Sequence, residues 1–341
     1  MNLVRRRIFL LKCLVIVVAI GSVATIFLWH RRLSDEKLLP QPPLATIQRG
    51  TLRVGSLVRS YLYYAPPRLP TNSPMLIVLH GASENAQTIR NVTGNEFEAL
   101  AQKDHFLVVY PNGYAGNWND CRTADSFPAR TQHIDDESFM QDLINHFKAS
   151  AHINTSAVFA AGYSNGGQMA YRLALEMPQD FAGIAAISAN LPTPSNNLCT
   201  PAHIPIPILI MTGTKDPISP YNGGVESLFG KQSRGTVLSS PATVQYFTTL
   251  NNQTDTPQPY LLPHKQISGN TFVSVTDYNQ PDQKEVMDYT ILNGGHVVPT
   301  AHARASSRLG VVTKDVDAPA AIWNFFSRQI QPATGPHSFT G

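Results

Sequence analysis

Three short stretches of this chain carry side chains that together can attack a carbonyl and move a proton. Gly162-Tyr163-Ser164-Asn165-Gly166 presents a hydroxyl between small neighbours. Met211-Thr212-Gly213-Thr214-Lys215-Asp216-Pro217 presents a carboxylate, and Ile291-Leu292-Asn293-Gly294-Gly295-His296 an imidazole. A serine hydroxyl is a weak nucleophile at neutral pH, so it needs a base and a group that orients the base. His296 would take the proton from Ser164 and return it to a leaving alcohol, while Asp216 would hold the tautomer and stabilise the imidazolium. An oxyanion formed on the way needs two donors. The backbone N–H of Asn165 is one candidate; the other is Ala82, with Gly81 as second choice, in the loop after the apolar run Met75–Leu79. Rival acids Asp135 and Asp136 precede the serine and are explained by helix capping. His302 is the nearest rival base, but no strand delivers it. His105, His146, His152, His203 and His264 read as surface or loop residues.

The elements that must hold these groups are legible in the apolar pattern. The run Ala157 to Ala161 before the serine reads as a buried strand, and the residues from 165 to 176 as an amphipathic helix. G-x-S-x-G on a strand-to-helix turn is the nucleophile elbow of the α/β-hydrolases, whose partners follow in the order Ser, Asp, His. Strands are expected at 75–79, 106–110, 156–161, 183–188 and 207–211, with a strand pair at 271–278 and 285–292. Helices are expected at 94–103, from 135 or 136 to 152, from about 241, and at 318–326. An antiparallel hairpin over 51–64 opens the domain. This alternation predicts an α/β-hydrolase fold: a mostly parallel central sheet with helices on both faces, plus an N-terminal apolar helix. The long loop from Tyr114 to His133 is expected to be functional or mobile. Its Trp118 and Tyr114, with Tyr221, are candidates for lining a substrate cleft, with plain packing as the alternative.

With 341 residues the chain can bury a large core, and 43% apolar with 14% charged residues describes a globular protein. A net charge of +3, much of it beside the N-terminal apolar run, argues against nucleic acid as a partner. Residues 1–29 pair Arg5-Arg6-Arg7 with a charge-free run from Cys13 to Trp29. They are expected to be an uncleaved membrane anchor, with a cleaved signal peptide as the alternative. The arginine triplet keeps that end in the cytoplasm and sends the body across, to the periplasm or the exterior. Residues 30–47 read as a linker, 48–330 as one catalytic domain and 331–341 as a tail. Cys121 and Cys199 both lie in loops; whether they pair stays open, since export would permit it and two unrelated thiols would fit as well. No zinc spacing is present, so no metal is expected, and the domain is expected to be a monomer.

These motifs, taken together, resemble the secreted esterases of the polyhydroxybutyrate depolymerase type, which include feruloyl and acetylxylan esterases. The resemblance rests on Leu79-His80-Gly81, Tyr110-Pro111-Asn112-Gly113, Asn117-Trp118-Asn119, Asp135-Asp136 and Gly162-Tyr163-Ser164-Asn165-Gly166-Gly167. It continues through Gly213 to Pro217, Pro220-Tyr221-Asn222-Gly223-Gly224, Gly294-Gly295-His296 and Ile322-Trp323-Asn324-Phe325-Phe326, in order over roughly residues 50–328. It implies the triad Ser164, Asp216 and His296, and hydrolysis of carboxylic esters through an acyl-serine without metal or cofactor. After the histidine the family usually carries tryptophan, proline and glycine; here Val297-Val298-Pro299-Thr300 stand instead, so the substrate is expected to differ. The family's polymer-degrading members usually add a linker and a binding domain, which this sequence does not show. Soluble hydroxybutyrate oligomers or similar small esters are therefore expected over crystalline polyester. Feruloyl or acetyl-sugar esters, or acyl transfer to another alcohol, are the alternatives.

Overall fold

The computed structural model describes residues 46–228, 231–302 and 306–330. The expected N-terminal helix at 1–29, the linker as far as residue 45 and the tail at 331–341 lie outside these residues. The strands are β1 (Gln48–Val54), β2 (Leu57–Tyr64), β3 (Met75–Leu79), β4 (Leu107–Pro111), β5 (Val158–Tyr163), β6 (Gly183–Ile187), β7 (Ile208–Gly213), β8 (Gly224–Leu228), β9 (Lys231–Val237), β10 (Tyr260–Leu261), β11 (Phe272–Tyr278) and β12 (Val286–Leu292). The helices are α1 (Ala86–Val92), α2 (Glu96–Asp104), α3 (Pro128–Thr131), α4 (Asp136–Ala151), α5 (Asn165–Glu176), α6 (Ser240–Leu250) and α7 (Ala318–Arg328).

A ten-stranded sheet runs β1-β2-β4-β3-β5-β6-β7-β12-β11-β10. From β4 to β12 every neighbouring pair is parallel, and antiparallel strands close both edges. Strands β3, β4, β5 and β6 are buried at every position because both faces are covered. Met75, Ile77 and Leu79 pack with Phe139, Leu143 and Phe147 of α4 and Met169 and Leu173 of α5. Their alternates Leu76 and Val78 pack with Ile89 of α1, Phe97 of α2, and Ile322 and Phe326 of α7 on the other face. This is the period-2 alternation of a strand buried on both sides. Parallel strands point their C-terminal ends the same way, so the loops after β3, β5, β7 and β12 emerge along one rim.

Helix α1, the separate β8–β9 ribbon and the short β10 form where the sequence predicts no element, and the 114–133 loop contains α3. Asp135 caps α4 as expected, accepting from Ser138 N–H at 2.8 Å. Asp136 is no simple cap residue. It is fully buried, pairs with Arg59 at 2.7 Å and accepts from Asn119 N–H at 2.8 Å, which ties β2 to the loop before α3.

Candidate active site

Ser164 sits between the end of β5 and the first turn of α5 with φ 56° and ψ −119°. That is left-handed territory, costly for a residue with a side chain and held only because its surroundings dictate it. The flanking glycines are required by space. A Cβ on Gly162 would lie 2.0 Å from Gly166 O, and one on Gly166 would lie 2.4 Å from Leu79 O. The serine N–H is tied to Ile187 O at 2.9 Å, so the turn is pinned to β6.

The structure brings the other two groups to this hydroxyl. His296 Nε2 lies 2.8 Å from Ser164 Oγ, and His296 Nδ1 lies 2.8 Å from Asp216 Oδ2. The second carboxylate oxygen of Asp216 accepts from the N–H groups of Ile218 and Ser219 at 2.8 and 2.9 Å, so the acid is fixed on both sides. All three side chains are buried or nearly so. Ser164 follows β5, Asp216 follows β7 and His296 follows β12. The histidine loop is anchored by His296 N–H to Leu309 O at 2.6 Å and by the Tyr163 hydroxyl donating to His296 O at 2.8 Å. Burial, with the carboxylates of Glu84 and Asp216, raises the Tyr163 pKa far above that of a free phenol, so it stays a donor.

The oxyanion candidates separate in the structure. Gly81 N–H donates to Glu84 Oε2 at 2.9 Å and is consumed. Among the described residues the N–H groups of Ala82 and Asn165 have no acceptor. The Ala82 N–H shares a peptide plane with Gly81 O, which accepts from His80 Nδ1–H at 2.7 Å. In a trans peptide, gripping the oxygen aims the N–H the opposite way. His80 is itself held: its Nε2 accepts from Gly113 N–H at 2.9 Å and its ring lies 4.9 Å from that of Trp118. Burial lowers the His80 pKa to about 4, so the ring is neutral, as its one donor and one acceptor bond require.

Of the two readings open for Trp118, plain packing is the one its position fits. It is fully buried, and its Nε1–H donates to His80 O at 2.9 Å. Tyr114 is half-buried and donates to Gln132 Oε1 at 3.0 Å; Tyr221 is half-buried, its hydroxyl 3.3 Å from Thr290 Oγ1 on β12. The rival His302 faces Glu96, at 3.8 Å, instead of the serine. Cys121 and Cys199 form a disulfide with Cα atoms 5.1 Å apart.

Sequence reasoning passed over the groups behind the elbow. The Asn165 side chain accepts from Trp118 N–H at 2.8 Å and donates to Asp120 Oδ2 at 2.6 Å. Asp120 belongs to a buried cluster in which Arg122 pairs with Asp120, Asp125 and Glu226. Burial opposes the charge on Arg122, but Asp120 and Glu226 outweigh it and raise its pKa. Gln168 of α5 donates to Glu226 Oε2 at 3.2 Å, which joins the elbow helix to the β8–β9 ribbon. The only signal for this in the sequence is an Asp-Cys-Arg run in a long loop.

The phospholipase/carboxylesterase family model matches residues 67–228. The protein named "Putative esterase NocK" from Nocardia uniformis subsp. tsuyamanensis is 27% identical over 267 residues, 75% of each chain. Poly(3-hydroxyalkanoate) depolymerase C of Paucimonas lemoignei is 29% identical over 126 residues, 37% of this chain and 30% of its own length. Among solved structures, an acetyl xylan esterase from Aspergillus awamori shares the fold with a TM-score of 0.51 at 15% identity, covering 75% of this chain and 95% of the other. Family model and relatives support a carboxylic ester hydrolase of the α/β-hydrolase fold, similar to the feruloyl and acetylxylan esterases and the poly(3-hydroxyalkanoate) depolymerases.

Proposed function

We propose that the chain is a serine esterase acting on soluble carboxylic esters, with hydroxybutyrate oligomers or similar short esters as its substrates. The observation that carries this reading is the unbroken path from Ser164 Oγ through His296 to Asp216, with both links at 2.8 Å. In the first half-reaction Ser164 Oγ bonds to the ester carbonyl carbon while its proton passes to His296 Nε2. The N–H groups of Ala82 and Asn165 receive the negative oxygen. Collapse breaks the bond to the alkoxy oxygen, and His296 returns the proton to it. Water repeats the sequence on the acyl-serine and releases the acid.

The likeness to a poly(3-hydroxyalkanoate) depolymerase supports a hydroxyacyl substrate. Val297 and Val298, buried behind His296, support a departure from that group's usual acyl preference. Residues 48–330 are the catalytic domain in this reading, working as a monomer outside the cytoplasm. The Cys121–Cys199 bond supports export, because cross-links of this kind persist in oxidising compartments. The N-terminal segment would then act as anchor or signal; among the described residues no helix is long and apolar enough to cross a membrane.

A fluorophosphonate probe should label the purified protein at Ser164. Ser164→Ala should abolish labelling and lower kcat for short-chain and hydroxybutyrate esters by about a thousandfold or more. Labelling that persists in Ser164→Ala would overturn the assignment.

A further inference from the structure

We propose that Glu84 is a specificity-determining residue: its carboxylate forms an anionic wall beside the oxyanion loop that favours esters presenting a hydroxyl or ammonium group near the scissile carbonyl and disfavours those presenting a carboxylate. The proposal rests on ester hydrolysis at Ser164 as set out above.

Glu84 Oε2 is held by Gly81 N–H at 2.9 Å, which puts the oxygen one residue from the Ala82 donor. A Cβ on Gly81 would meet that oxygen at 3.2 Å and the ring of Tyr163 at the same distance, so carboxylate, loop and ring share one small space. Tyr163 precedes the nucleophile, and its ring centroid lies 5.4 Å from that of His296. The Glu84 wall and the His296 base therefore flank the same ring. The backbone carrying Glu84 is fixed. Its N–H donates to Gly116 O at 3.3 Å, and Ser83 N–H donates to Asn117 Oδ1 at 3.1 Å with Ser83 at φ 58°.

The carboxylate is half-buried and, among the described residues, pairs with no lysine or arginine. Its other oxygen, Oε1, has no protein donor there. Burial raises its pKa above the usual carboxylate range, while Gly81 N–H and His296 pull it back. A negative charge so close to a developing oxyanion opposes the reaction. If holding Gly81 N–H were its only task, a neutral acceptor would do the same without that cost. The charge is accounted for if it faces something the substrate brings: a hydroxyl or ammonium group that donates to Oε1.

Glu84→Gln keeps the size and an acceptor for Gly81 N–H and removes the charge, whereas Glu84→Ala removes both. The assay is kcat/KM for four esters matched in acyl length and bearing no substituent, a hydroxyl, an ammonium or a carboxylate near the carbonyl. The wild type should prefer the ammonium ester over the carboxylate ester by about tenfold to a hundredfold, and Glu84→Gln should bring that ratio towards one. High salt should shrink the wild-type ratio in the same direction, a readout that does not depend on the variant folding. A wild type that does not discriminate, a ratio indifferent to salt, or a Glu84→Gln variant that slows all four esters equally would overturn the proposal. Absence of turnover for the unsubstituted ester in the wild type would instead sink the esterase reading itself.

Discussion

His80 shows how much a single buried side chain does at this site. It accepts from Gly113 and donates to Gly81, and it can do both only while neutral. Its pKa falls from the ordinary 6.5 to about 4 in the folded chain. Between those values the unfolded chain binds a proton that the native chain refuses, so this residue makes stability fall as pH drops through that window and contributes no further change below it. Going from pH 7.5 to pH 5 should cost about 2 kcal/mol on this account. His80→Gln, which keeps a donor and an acceptor but does not titrate, should lose less over the same interval in urea unfolding. Such a role was not legible in the sequence. His80 entered the sequence reading only as part of a resembling motif, because its task depends on Gly113, 33 residues away. The meeting of Ser164, Asp216 and His296 was legible, since chain order and strand-end position are sequence properties. Trp118 stayed open between cleft and packing because an aromatic in a long loop looks alike whether it faces a cleft or a core.

At the scale of elements, the elbow helix α5 is secured at its first turn by more than its own backbone. Asn165 and Gln168 reach Asp120 and Glu226, and Arg122 holds those two acids together with Asp125. Three carboxylates face Arg122 and the nearby Arg234, so the cluster is short of positive charge; Asp125 responds with a pKa raised to about 6 by burial. Arg122→Met should therefore destabilise the fold by about 3–5 kcal/mol, because it strands buried anions. Glu226→Gln brings the charges into balance and should cost far less. Thermal melts of the two variants give the comparison, and equal losses would contradict this charge accounting. The central strands were legible because solid apolar runs of five or six residues admit few other readings. The β8–β9 ribbon was not: Gly-Val-Glu-Ser-Leu has no clean alternation, and its one buried side chain there is the glutamate that meets Arg122. Helix α1, seven residues long, is too short to show a periodic face.

Across the whole molecule, the sheet order explains why residues so far apart in sequence meet. Strands β5, β6, β7 and β12 are consecutive neighbours and all parallel, so the ends of β5, β7 and β12 deliver serine, acid and base to one rim, with the Ala82 loop arriving from β3 beside β5. The hydroxyl and the imidazole are separated by 132 residues. The segment matched by the family model, 67–228, holds the serine and the aspartate but stops before the histidine and before β12. A growing polypeptide that has passed Asp216 already owns the nucleophile and has nothing to deprotonate it. During synthesis the protein should thus stay inert towards a fluorophosphonate until β12 has docked on β7 and His296 has swung in behind it. Stalled nascent chains of increasing length, probed for labelling, should switch on in a single step after residue 311, where Gly295 finds its backbone partner. If so, the order in which the strands are read out would by itself keep half-finished copies of this hydrolase idle in the cell that makes them.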